Sequence, residues 1–251
     1  MKINVINKLI LLLTVIFFVF ANEGELRAQM FSVGGQGPRF SVPQTEFYVG
    51  LEPMNVTYEG GNIQQPGIGT FEFEGSIIRV GYRGPGINFF MGSGGNITGI
   101  EEASYFDAGG NIDFGLNIYR SRKLSLLVPL RIASRYTNIT NNQAFQTTTF
   151  NRFRFGSLTG GAGIRVMARP SENFRFRAGA VPHYGFAFAS DGFFGGALGG
   201  VAAHGRLYFD RLFEDVGLTI GYRYDLRNYD IDEDAYDYKI NGNSLEVGIT
   251  F

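Results

Sequence analysis

Six arginines stand out as side chains that could do chemistry. Arg165, Arg175, Arg177, Arg206, Arg223 and Arg227 occupy alternating positions of four consecutive stretches: Phe153–Ala168, Phe174–Phe188, Ala197–Phe209 and Val216–Arg227. Period two places side chains on one face of a strand, so the guanidiniums share a face. Asp107, Asp113, Asp225 and Glu246 fall on the same polar face of their own stretches. Such a set can bind anions, or it can neutralise itself as a lattice of ion pairs. His183 and His204 lie on adjacent stretches of the same face and are read as ordinary members of it rather than as a metal or proton site. The acidic run DIDEDAYDY spaces Asp230, Asp232 and Asp234 as D-x-D-x-D, a pattern that suits hard cations. An EF-hand would continue with Gly and end in Glu, where this chain has Ala235 and Asn241. We therefore expect a solvated acidic loop and no metal site or cofactor.

The elements that must position these residues follow from hydropathy. Tyr105–Tyr119, YFDAGGNIDFGLNIY, sets Phe106, Ala108, Gly110, Ile112, Phe114, Leu116 and Ile118 against Asp107, Gly109, Asn111, Asp113, Gly115 and Asn117. A helix would mix the two sets; a strand separates them. Similar alternation recurs in eight further segments from Phe47 to Phe251, and Phe71–Arg83 is a tenth strand by propensity. Within Phe47–Tyr58 the apolar phase slips at Pro53, which predicts a β-bulge. The faces of Phe71–Arg83 are mixed and give no outside. Pro129 and Pro182 fall inside strands without a phase slip, in conflict with a fully paired sheet. Connections alternate between short turns (GPG, SRK, RPSEN, DRLFED) and long loops.

Composition limits the classes. There is no Cys, net charge is −1, and 18% of residues are charged, while Gly numbers 36, Phe 25 and Tyr 13. No disulfide framework or Cys-zinc site exists, and no basic field attracts nucleic acid. Lys2 and Lys8 precede the apolar run Leu9–Ala21, too short to span a membrane as a helix and suited to a secretory signal. Cleavage after Ala21 or Ala28 fits, and Ala28 is preferred. The expected organisation is a signal peptide over 1–28, a short periplasmic segment over 29–43 and a β-domain over 44–251. Wet faces made of Gly, Ser, Thr and Asn, with scattered Arg and Asp, suit a crowded interior better than a solvent surface. The fold predicted is all-β: a closed antiparallel up-and-down transmembrane barrel of about ten strands, with eight as the alternative.

The last strand, NSLEVGITF, alternates Leu245, Val247, Ile249 and Phe251 and ends on the aromatic ring. Together with the signal segment and the alternating strands, it resembles the small Gram-negative outer-membrane β-barrel proteins of the OmpA/OmpX type. The resemblance implies that these four residues form a signal read by the barrel-assembly machinery. It also implies Sec export to the bacterial outer membrane, contact with membrane lipid and lipopolysaccharide, and a monomer. Among outer-membrane enzymes, omptin-type proteases use Asp-x-His and lipid A deacylases use His-x-Ser. Here the His triplets are HYG and HGR, Asp does not stand two residues before either His, and no enzyme is expected. The expected role is structural or surface-interacting, with a lumen largely filled by side chains. The alternatives are a narrow channel for small solutes or anions, and a membrane hydrolase.

Overall fold

Alternating segments fold as strands that each carry one wet and one apolar face. The computed structural model describes residues 45–59, 73–95, 98, 103–141, 152–189, 195–213, 215–231 and 237–251, all within one compact unit, Phe40–Phe251. The signal segment, residues 29–43, and Asp232 and Asp234 lie outside the described residues. Among the described residues there are eleven strands: β1 (Glu46–Tyr58), β2 (Phe73–Gly84), β3 (Ile87–Gly94), β4 (Ala103–Arg120), β5 (Leu124–Asn141), β6 (Arg152–Ala162), β7 (Ile164–Ser171), β8 (Phe174–Ala189), β9 (Gly195–Phe213), β10 (Val216–Ile231) and β11 (Tyr238–Thr250). Apart from β6 and β7, strands consecutive in sequence pair antiparallel, and β11 returns to β1, so the sheet closes. Both β6 and β7 lie between β5 and β8 in one unbroken register. They are two halves of one stave, which makes ten staves and excludes the eight-stranded alternative.

The break in that stave resolves the proline conflict. Gly163 separates β6 from β7 directly opposite Pro129, and Pro182 sits beside the same gap on β8. Neither proline can donate to a ladder, and the ladder is interrupted where donors are missing. Gly163 N–H still reaches the Pro129 carbonyl, at 3.2 Å. A Cβ on Gly163 would run into the Ala180 carbonyl and Val181 Cα, so the gap requires glycine.

Pro53 behaves differently from the sequence expectation. There is no bulge: β1 keeps one register against β2 and against β11 on both sides of Pro53. The apolar side chains change face instead. Phe47, Val49 and Leu51 point outward, while Met54 and Val56 point inward and are buried. Hydropathy gives the period of a strand, and it reports a phase slip whenever the lining of the barrel turns from polar to apolar. The turn after β9 is also shorter than DRLFED suggests. β9 runs on to Phe213, with Arg211 in the left-handed region at φ 57° and a register shift between Val216 and Leu218.

Rows across the wall show how the faces are built. One outward row runs Phe176–Leu207–Ile220–Val247–Val49–Val80–Met91, apolar at every stave. Leu116, Ile164 and Val247 are each more than half exposed on the outside, at 53%, 52% and 55%. An adjacent inward row runs Arg206–Gly221–Glu246–Gly50–Arg79–Gly92–Asp107. Charged residues alternate with glycines from stave to stave. The glycines make room: a Cβ on Gly92 would collide with the Asp107 carboxylate and press on Ile77.

Candidate functional site: the barrel lumen

The lumen is filled in layers. At the long-loop end, Met54, Val56, Phe73, Ile77, Tyr105, Ile139, Phe155, Leu198, Tyr229, Ile231, Tyr238 and Ile240 form one buried cluster. Val56, Ile77, Ile231 and Ile240 have no exposed surface. Each such aliphatic side chain stabilises the closed barrel by roughly 1.5–3 kcal/mol through burial. At the level of this cluster the outer face of β1 and β2 becomes polar, with Asn55, Thr57, Glu74 and Ser76 pointing away from the lumen. On these two staves the lining turns apolar where the outer face turns polar.

Beneath the cluster lies a chain of charges that crosses the lumen and returns to its starting stave. Arg223 donates to Glu52 (2.6 Å), Arg79 donates to Glu52 (2.5 Å) and to Asp107 (3.2 Å), and Arg135 donates to Asp107 and to Asp225 (2.5 Å). The order β10–β1–β2–β4–β5–β10 ties half of the wall together. The Phe90 ring lies among three of these guanidiniums, with Arg79, Arg135 and Arg223 at 4.7, 4.9 and 5.9 Å from its centroid. Arg227 joins this layer to the apolar cluster, donating to Thr137 Oγ1 (3.1 Å) and the Tyr105 hydroxyl (3.2 Å). Glu52 and Arg79 are fully buried, so each charge depends on its partners; an unpaired ion there would cost several kcal/mol.

Toward the short-turn end Glu246 carries the lattice on, with Arg223 Nε at 3.5 Å, while other pairs stand apart. Arg83 donates to Glu46 (2.7 Å) and to Glu246, and its guanidinium lies 3.5 Å from the Tyr48 ring centroid. Arg175 donates to both carboxylate oxygens of Asp210, at 2.5 and 2.7 Å. Arg131 does the same to Asp113, at 2.7 and 2.9 Å, and Arg165 shares that carboxylate. Arg206 reaches Glu246 at 3.3 Å.

All ten charged residues singled out from sequence face inward, but they do not form one cluster. Arg223, Arg227, Asp107 and Asp225 belong to the middle layer. Arg175 has its own partner in Asp210. Arg165 and Asp113 pair across the wall, and Arg206 pairs with Glu246. Sequence reasoning missed Arg79, Arg83, Arg131, Arg135, Glu46, Glu52 and Asp210, which complete the lattice. Two were hidden by the mixed faces of β2, and Asp210 was assigned to a turn. His183 and His204 face inward on adjacent staves but are not opposite each other: His183 pairs with Gly200, and His204 with Gly179. Asp230 is exposed on the outer side of β10. No group of three potential metal ligands occurs among the described residues. Leu245, Val247, Ile249 and Phe251 all point outward, and the Phe251 ring stacks on Phe47 at 5.7 Å. Tyr184, Phe186 and Phe188 are exposed on the outside near the long-loop end of β8.

No protein-family model and no curated protein matches the chain. Among solved structures, it is similar to the outer membrane protease OmpT of Escherichia coli, at 8% identity and a TM-score of 0.42 over 86% of this chain and 99% of that one. It is also similar to Ail, the attachment invasion locus protein of Yersinia pestis, at 13% identity and a TM-score of 0.28 over 83% and 98%. A third similarity is to the toluene transporter TbuX of Ralstonia pickettii, at 9% identity and 0.28 over 82% and 73%. A protease, an attachment protein and a transporter at such values give no activity to this chain. The closed antiparallel barrel stands on the chain's own strand pairing.

Proposed function

We propose that the protein is a monomeric bacterial outer-membrane barrel with a structural or surface-interaction role, and that its lumen does not conduct. The observation that carries this reading is the double seal. A buried apolar cluster stands above a crossing chain of ion pairs, and the outer wall is an apolar belt. Apolar side chains facing outward on every stave need a hydrocarbon surrounding, and closure satisfies the backbone groups that hydrocarbon would leave unpaired. Export through the Sec pathway delivers the chain. The barrel-assembly machinery reads Leu245, Val247, Ile249 and Phe251, and lipid and lipopolysaccharide surround the finished wall. A ten-stave lumen lies nearer the side-chain-filled eight-strand barrels than the open 16–18-strand porins. The role is one of presence and contact rather than catalysis.

Recording in planar bilayers tests the seal. The wild type is expected to give no steady single-channel conductance. Steady conductance that drops when Arg206→Glu reverses a lumen charge would reject the seal in favour of a narrow anion path.

A further inference from the structure

Where inward charges face each other across neighbouring staves they are opposite in sign at Glu46–Arg83 and Asp113–Arg131, and alike at Arg177–Arg206. Arg206 has Gly221 on one side and Arg177 directly opposite on the other, both side chains facing inward. Like charges directly opposite on neighbouring strands destabilise a sheet. No carboxylate among the described residues pairs with Arg177; the contact it makes is with the Tyr208 ring, 5.3 Å from its guanidinium carbon. One row further up the wall, Arg165 and His204 flank Gly179 from either side. The carboxylates that serve this arc are shared: Asp113 also holds Arg131, and Glu246 also holds Arg83. The fields of Arg206, Arg165 and Arg177 all fall on His204.

Polar atoms on the same wall lack partners. Among the described residues, Arg206 Nε, Arg165 Nε, His204 Nε2 and the Tyr208 hydroxyl have none, and Arg206 and Tyr208 are 6% and 3% exposed. Buried polar groups normally find hydrogen bonds. Concentrated positive charge and unused donors therefore coincide at one place.

We propose that this arc, Arg177, Arg206, Arg165, His204 and Tyr208 at the short-turn half of the lumen, binds one small multivalent oxyanion of the phosphate class. A tetrahedral oxyanion offers several acceptors and two negative charges, and guanidiniums pair with such oxygens in a fork geometry. A halide offers neither. Gly179 lets the His204 ring lie close beside β7: a Cβ there would meet the Ile164 carbonyl at 2.9 Å and His204 Cε1 at 3.1 Å. Entry is from the short-turn mouth, so binding does not require that the lumen conduct. Failure of this site and failure of the seal are therefore read by different experiments.

The test is equilibrium dialysis of the folded, detergent-solubilised full chain against labelled inorganic phosphate, with ionic strength held constant by chloride. Expected is saturable binding of one phosphate per chain, weakened at least tenfold in Arg177→Met and unchanged in Arg120→Met, at the exposed end of β4. Arg177→Met relieves the like-charge contact, so its barrel folds, which heat-modifiable gel migration checks. Should it fail to fold, the wild type decides: sulfate displaces phosphate and acetate at equal ionic strength does not. Absence of saturable binding, undiminished binding by folded Arg177→Met, or equal displacement by sulfate and acetate would each overturn the proposal.

Discussion

At Glu52 two guanidiniums share one carboxylate with no exposed surface: Arg79 from β2 and Arg223 from β10. Removing the carboxylate leaves two like charges facing each other in a closed space. Breaking a buried pair in this way costs about 3–5 kcal/mol. Glu52→Gln is therefore expected to lower unfolding stability by that amount, measured by circular dichroism in denaturant after reconstitution. A loss under about 1 kcal/mol would show that water already screens the middle layer. The pair Lys239–Glu59 provides the contrast. Both side chains are about half exposed and 3.7 Å apart, and Lys239→Gln should change stability by less than about 1 kcal/mol.

At the scale of the strand, glycines that look alike in sequence have unlike surroundings. Gly163 faces backbone on β8, whereas a Cβ on Gly115 meets only the Leu127 methyls, at 3.6 and 3.7 Å. Gly163→Ala must push β7 away from β8 and should cost about 1–3 kcal/mol, the usual penalty of overpacking. Gly115→Ala fits in ordinary contact, and replacing a strand glycine recovers backbone entropy. It is expected to be neutral or stabilising. Thermal unfolding of the two variants side by side checks the pair, and equal losses would contradict the stave break. Strand existence and period were legible in the sequence because alternation is local. The loss of phase at Pro53, the missing outside of β2 and the extent of β9 were not. Each depends on what the strand faces at a given height, and a one-dimensional pattern carries no height.

For the whole molecule, the apolar belt and the polar rim set where substitutions matter. Val247 lies within the outward apolar row, and Asn55 lies above it on the neighbouring stave. In a bilayer, Val247→Arg should destabilise by about 2–4 kcal/mol, as basic residues do near the midplane, while Asn55→Lys should cost about 0–1 kcal/mol. Denaturant titrations in lipid vesicles distinguish the two. Equal effects would mean that the belt does not meet hydrocarbon, and extraction of the protein without detergent would say the same.

The sequence by itself determined that the chain is all-β, that its strands alternate between an apolar and a wet face, and that arginines and carboxylates share the wet face. Those properties need only neighbours two residues apart. Which arginine meets which carboxylate was decided by the tertiary structure. Arg83 finds Glu246 across 163 positions, and Arg223 finds Glu52 across 171. Such partners are chosen by the register of strands around a closed wall. The same register sets charge against glycine along the row from Arg206 to Asp107 and leaves Arg177 facing Arg206. Closure relates the two ends of the strand series, and alternation along a single strand holds no record of it.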